Sequence, residues 1–417
     1  MLRRFSIIVS TFIFWHLCSS VTLAQTKDPN QLDKFLPGPL EVITPDPLLR
    51  PSFEKQPLTL EELQKLETAL DELNQEAAAT LQAGDKVTAF EIWNRELRLR
   101  RLLGSIAEVE ALSRVGAIAW NQNDRAEIQY ITQRLQVIQK QALPQKTSSK
   151  KDSTPKPVDL DLMRSLGQAY QNLRVPKLAL EAYNQVLALV RQQQDSTAEV
   201  ETLQTIGELH LSWFDYPQAA ATYEELLGLA TVKGDGLSEV AYLKKLVYTY
   251  EQGKQPQKSI NVLGKLVEIF TNENNLTQIP VLKIAIATNY ETIAQENPSL
   301  LQAAFDNYQE AYTIAWQLQQ YVTASEALQK LITLYRSQGQ IEAALQTSQI
   351  LVATEELSTD FYGLMQAYDQ IGKLYLESKQ YPQALTAFEK GLELAQQLKH
   401  QEAYFKEQIE TLAKANR

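Results

Sequence analysis

From residue 158 onward, apolar positions recur at three- and four-residue steps in blocks divided by short polar breaks. Leu162, Leu166, Ala169, Tyr170 and Leu173 make one block; Leu178, Ala182, Val186 and Val190 make the next at a strict four. That period gathers apolar side chains on one helix face, so each block predicts an amphipathic helix. Arg174-Val175-Pro176 breaks the pattern between them, and proline suits the first turn of the following helix. Tyr216-Pro217-Gln218-Ala219 and Tyr381-Pro382-Gln383-Ala384 repeat the device. No stretch combines period-two alternation with turn residues, so no sheet is expected and the fold class is all-α.

The blocks themselves recur. A Leu/Ile lead, a following residue that is often Gly, and Tyr three further on appear as Leu166-Gly167 with Tyr170, then Ile206-Gly207 with His210. Leu246-Val247 with Tyr250, Ile286-Ala287 with Tyr290, Leu331-Ile332 with Tyr335 and Ile371-Gly372 with Tyr375 continue the series. The step is about forty residues, with one of forty-five where Glu296 to Leu300 reads as a loop insertion. A small residue follows five of the six leads (Ala179, Ala219, Ser259, Ala344, Ala384), and an aromatic four later in three units (Tyr183, Tyr223, Phe388). With the insertion, the fourth unit supplies Ala304, Tyr308 and Ala311.

These residues resemble the tetratricopeptide repeat family over about residues 158–415, in a long-helix variant such as kinesin light chains carry. The resemblance implies a right-handed α-solenoid of stacked antiparallel helix pairs. In it the small residue permits close helix approach and the aromatic fills the gap. Leu263 and Ser348 stand where the aromatic is expected, so the third and fifth units are expected to pack less tightly.

Upstream the template fits less well. Val115-Gly116 with Ala119 resembles another lead, and Ala89 with Trp93 the second half of a unit before it. The expected organisation is therefore two degenerate helix pairs over 58–142, a flexible linker over 143–157 rich in Lys, Ser and Pro, then six repeats over 158–415. Residues 25–57, with Pro37, Pro39, Pro45, Pro47 and Pro51, are expected to be extended and poorly packed.

Residues 1–24 read as a signal peptide. Arg3 and Arg4 precede an apolar run from Phe5 to Leu17, and Thr22-Leu23-Ala24 offers a cleavage site. Export to a periplasm, a thylakoid lumen or the outside is expected; the alternative is an uncleaved anchor over Phe5 to Ala24, which would tether an adaptor to a membrane. Cys18 is the single cysteine, so cleavage would leave none for disulfides, zinc or nucleophilic catalysis.

Charge and chemistry narrow the function. A net charge of −10 argues against nucleic-acid binding, which needs a basic face. Beyond the leader only His210 and His400 remain, too far apart in a linear array to cooperate, and His210 takes a position that Tyr holds elsewhere. Gly234-Asp235-Gly236 is a loop rather than a phosphate cradle, and the acidic residues, such as Glu67 and Asp71, sit on solvated helix faces. No enzyme activity, cofactor or metal is expected; an exported hydrolase with two paired acids is the weaker alternative.

In the family the first helix of each unit lines the inner surface of the superhelix. The phase of the leads places Arg164, Gln168 and Asn172 there, then Gln204, Glu208 and Ser212. Lys244, Lys245, Tyr248 and Gln252 follow, then Thr288 and Glu291. The last two units contribute Gln329, Lys330, Thr333 and Arg336, then Asp369 and Lys373. Long polar side chains with one aromatic suit an extended peptide or a helix, so one or more proteins are the expected partners. The carboxylate clamp of chaperone-binding members is absent, because Arg164, Gln168 and Glu208 stand at its positions. Terminal units lacking a neighbour leave a homodimer open.

Overall fold

A computed structural model describes residues 38–42, 45–50, 57–143 and 158–415. The expected signal peptide, and all but the first residue of the expected linker, lie outside them. The chain divides into two units, residues 1–99 and 100–417.

The first unit holds α1 (Leu60–Gln82) and α2 (Lys86–Arg100, whose last residue falls in the second unit). Thr59 opens α1 with a capping box, accepting from the Glu62 amide while the Glu62 carboxylate accepts from the Thr59 amide at 2.7 Å. Leu66, Leu70 and Ala77 of α1 and Phe90, Trp93 and Leu97 of α2 are buried, and Trp93 donates to Asn74 at 3.0 Å. The preceding segment differs from the extended, poorly packed strand its prolines suggested. Leu40 is buried, Arg98 donates to the Pro39 carbonyl at 2.6 Å, and Asp46 takes both bonds of the Arg95 fork at 2.7 and 2.9 Å. A bidentate guanidinium–carboxylate pair fixes geometry as well as charge, which is what a proline-interrupted segment needs to stay folded back.

The second unit begins with α3 (Ser105–Asn121) and α4 (Arg125–Ala142). Buried Glu108 of α3 ties them together by accepting from Arg101 at 2.9 Å and from Arg134 of α4 at 2.6 Å. Six antiparallel pairs follow: α5 (Leu160–Asn172) with α6 (Pro176–Gln192), α7 (Ser196–Ser212) with α8 (Tyr216–Lys233), and α9 (Gly236–Gln252) with α10 (Pro256–Asn272). Then come α11 (Ile279–Ala294) with α12 (Leu301–Gln317), α13 (Tyr321–Ser337) with α14 (Ile341–Ser358), and α15 (Phe361–Glu377) with α16 (Tyr381–Leu398). A last helix, α17 (Glu402–Ala415), stands alone against α16. Each helix packs on the next in chain order, and α3 also packs on α5, so the stack runs on past the linker. There is no strand among the described residues. This is an all-α solenoid of helix pairs.

Local chemistry sets the helix ends. Asp159, Asp195, Asp215, Asp235 and Asp360 each accept a first-turn amide as an N-cap. Proline occupies the first turn of α6, α8, α10 and α16, where its missing N–H costs nothing. The suspected insertion is a single 3-10 turn, Pro298–Leu300, ahead of α12.

Within a pair, one close approach recurs. Side chains built on Gly167, Gly207 and Gly372 would meet the rings of Tyr183, Tyr223 and Phe388 at 2.8, 3.0 and 2.6 Å. Ala287 faces the same core as buried Tyr308 in the fourth pair. In the third pair Val247 and Leu263 belong to one apolar cluster; in the fifth, Ile332 and Ser348 are both fully buried, with the Ser348 hydroxyl donating to the Ala344 carbonyl at 2.8 Å.

Candidate partner-binding groove

The outer stripe of each first helix follows from the burial of its other faces. In α5 the buried residues Leu162, Met163, Leu166, Gly167, Ala169 and Tyr170 cover two sides, which leaves Arg164, Gln168 and Asn172 toward solvent. The same holds for Gln204 and Glu208 on α7, Lys244, Lys245 and Tyr248 on α9, Gln329, Lys330 and Arg336 on α13, and Lys373 on α15, all exposed or half-buried. Tyr248, the one aromatic among them, is 49% exposed.

Many of these side chains bond laterally, from one first helix to the next. Asn172 donates to Ser113 of α3 at 2.9 Å and also accepts from Gln168 at 3.2 Å. Gln204 donates to Tyr242 of α9 at 2.7 Å, and Lys245 lies 3.6 Å from Glu208 of α7. Arg336 pairs with Glu377 of α15 at 2.9 Å. Arg164 stays on its own helix, 3.6 Å from Asp161. Lys244 turns toward its pair partner, its ammonium 5.9 Å from the Phe270 ring of α10.

The stripe deepens into two grooves that each reach α13, one at Glu326 and the other from Gln329 to Arg336. The larger, about 1110 Å³, has Val281, Ile284 and Thr288 of α11 in its wall, with Glu251 and Lys258 on one side and Glu326 of α13 on the other. The smaller, about 600 Å³, crosses α13, α15 and α17 and is lined by Gln329, Thr333, Arg336, Gln366, Gln370, Lys373 and Tyr404 among others. Gln329, Arg336 and Lys373 are thus brought together, with Thr333 and Asp369. Lys330 and the residues named on α5, α7 and α9 line neither groove.

Electrostatically the smaller groove is balanced. Asp369 accepts from Lys373 at 2.6 Å and from the Tyr404 hydroxyl at 2.7 Å, and Lys373 sits 5.5 Å from the Tyr404 ring. Burial acts to lower the Lys373 pKa, but the bond to Asp369 prevails and holds it above its ordinary value. Burial, then the Asp369 bond, raises the Tyr404 hydroxyl. Arg336 is likewise matched by Glu377. What remains for a ligand is a row of side-chain amides on Gln329, Gln366, Gln370 and Gln401, each with a donor and an acceptor. Next to that row Gln329 donates at 3.4 Å to Glu355 of α14, whose carboxyl is 3% exposed and raised in pKa by burial.

Sequence reasoning missed Gln366, Gln370, Gln401 and the apolar wall residues Val281 and Ile284. Gln366 and Gln370 each lie three residues before Asp369 and Lys373 on α15; Gln401 immediately precedes α17, and Tyr404 lies in its first turn.

Among the described residues, no three His, Cys, Asp or Glu side chains are grouped to hold a metal ion. No described helix is long and apolar enough to cross a membrane. His210 is half-buried, its Nδ1 3.4 Å from Asp215, and burial pushes its pKa down.

The tetratricopeptide repeat model matches residues 366–398, which span most of the α15/α16 pair. The chain therefore carries a tetratricopeptide repeat, set in a solenoid of helix pairs. Among solved structures it is similar to BtubC from P. vanneervenii, at 15% identity over 54% of this chain and 92% of that one, with a TM-score of 0.38. A putative kinesin light chain of Podosopora anserina with TPR-like repeats is similar at 15% identity over 57% and 96%, TM-score 0.32. The apo form of the quorum sensor NprR from B. thuringiensis is similar at 14% identity over 73% and 80%, TM-score 0.35. The sequence matches no curated protein.

Proposed function

We propose that this protein is a non-enzymatic interaction scaffold or assembly factor, exported from the cytoplasm, that holds a segment of another protein along its first helices. The observation that carries this reading is the pair of grooves that both reach α13. One has an apolar wall on α11; the other presents the side-chain amides of Gln366, Gln370 and Gln401 beside charges already matched. An extended peptide or a helix with apolar residues at one end and a polar stretch at the other fits that sequence of surfaces. Matched charges favour this over recognition of a strongly charged ligand, since Arg336 and Lys373 are each held by a carboxylate.

The test is affinity capture from the native compartment beside two variants, Gln366→Ala/Gln370→Ala and Val281→Glu. A partner held by the wild type and released by both supports the reading. A partner retained by both moves binding to another surface. Export is tested separately by intact mass, which places the N-terminus at Gln25 if residues 1–24 are removed.

A further inference from the structure

One turn of the array differs from its counterparts in a way that neither folding nor the grooves require. The turn between α7 and α8 carries Trp213 and Phe214, 44% and 74% exposed, followed by Tyr216. Phe214 adopts φ of +60°, in the left-handed region. The same place in neighbouring pairs holds Arg174 (φ +57°) and Lys254 (φ +54°), and later Gly339 and Lys379. A bulky aromatic is poorly suited to that backbone region, and exposing it adds the cost of wetted apolar area. Its ring stacks edge-on with Tyr216 at 6.3 Å, and Tyr216 in turn abuts the next turn, where a Cβ on Gly253 would lie 3.2 Å from it. Phe214 and Tyr216 are thus in contact in this turn, beside exposed Trp213.

Cations flank this cluster on both sides. Arg174 and Lys177 belong to the preceding pair, Lys254 and Lys258 to the following one, and all four are exposed. The acidic residue inside the cluster, Asp215, caps α8 through the Gln218 amide and faces His210. In a chain of net charge −10, the four cations on these three turns outnumber the two acids there, Asp215 and Glu251. Aromatic side chains with adjacent Lys and Arg suit the interface of a bilayer with anionic lipids. There the rings sit at headgroup depth and the cations meet the surface potential. An exposed turn, unlike a groove, presses into a soft interface without needing a shaped partner. We infer that the α7–α8 turn is a peripheral contact site for an anionic membrane surface, needing no N-terminal anchor; Lys254 and Lys258 also line the larger groove, whereas Trp213, Phe214, Arg174 and Lys177 line neither.

The test is sedimentation of the full chain with vesicles of phosphatidylcholine alone or with 30% phosphatidylglycerol, alongside hydrogen exchange across residues 211–218. The wild type is expected to bind the anionic vesicles more tightly, with slowed exchange in this turn. Trp213→Ser/Phe214→Ser should lower partitioning at least tenfold, and Arg174→Gln/Lys177→Gln by roughly fivefold per cation removed, all with an unchanged far-ultraviolet dichroism spectrum. These four residues line neither groove, so partner capture should survive. Equal binding to both vesicle types, binding unchanged in the variants, or exchange in the turn unaffected by lipid would overturn the inference. Protection that grows with protein concentration without lipid would assign the turn to a second copy and overturn it too.

Discussion

Gly372 of α15 lies against the ring of Phe388 on α16 so closely that a methyl group on Gly372 would come within 2.6 Å of it. The same contact of a first-helix glycine with a second-helix ring recurs at Gly167 with Tyr183 and at Gly207 with Tyr223.

Gly372→Ala is therefore expected to destabilise the protein by about 1–3 kcal/mol through overpacking. Gly207→Ala should cost less, since its nearest ring atom is at 3.0 Å. Gly372→Val/Phe388→Leu, which copies the third pair, should lose less than its two single changes added together. Urea unfolding of the four variants checks this as a double-mutant cycle.

The last helix is held by a similar notch. Phe405 of α17 is fully buried, and a Cβ on Gly391 of α16 would meet its ring at 2.3 Å. Phe405→Ala should cost about 3–5 kcal/mol locally and release α17. Hydrogen exchange should then rise in residues 402–415 while α5 to α12 stay protected. Because α17 supplies Tyr404 to the smaller groove, with Gln401 just ahead of it, partner capture should fall with it.

Glu355 gives the fold a pH dependence with a definite sign. Burial raises its pKa above the ordinary 4.5, opposed by hydrogen bonds from Ser358 and Gln329 and assisted by the nearby charge of Asp360. A carboxyl raised in the folded state contributes stability that is complete below the unfolded value and lost as pH rises through the folded one. Glu355→Gln should thus raise the melting temperature more at pH 7.5 than at pH 4.5, and the gap between the two pH values should narrow. A variant that melts lower at both would show that the carboxylate is needed charged.

Much of the fold was legible in the chain because each helix carries its own evidence. The apolar steps from Leu162 to Leu173 need no tertiary partner to be read, and Pro176, Pro217 and Pro382 mark the starts of second helices. Relations between helices were harder to read. Ser348 reads as a missing ring, yet it is fully buried, as is Ile332 sixteen residues before it. Asn172, Gln204, Glu208 and Lys245 read as a free surface because nothing in one helix shows that its neighbour offers Ser113, Tyr242 or an opposite charge. Leu40 and Asp46 were hidden by prolines whose turns fold the chain back onto α2, a contact invisible to local pattern.

The central claim is that the grooves along α11, α13 and α15 hold a segment of another protein. The most direct measurement places a photoreactive amino acid in turn at Thr288, at Gln370, and at Gln346 on the opposite helix of the α13/α14 pair, then activates each in the native compartment. The account predicts one protein cross-linked from both Thr288 and Gln370 and none from Gln346. Cross-links from Gln346 alone, or from neither groove position, would contradict it.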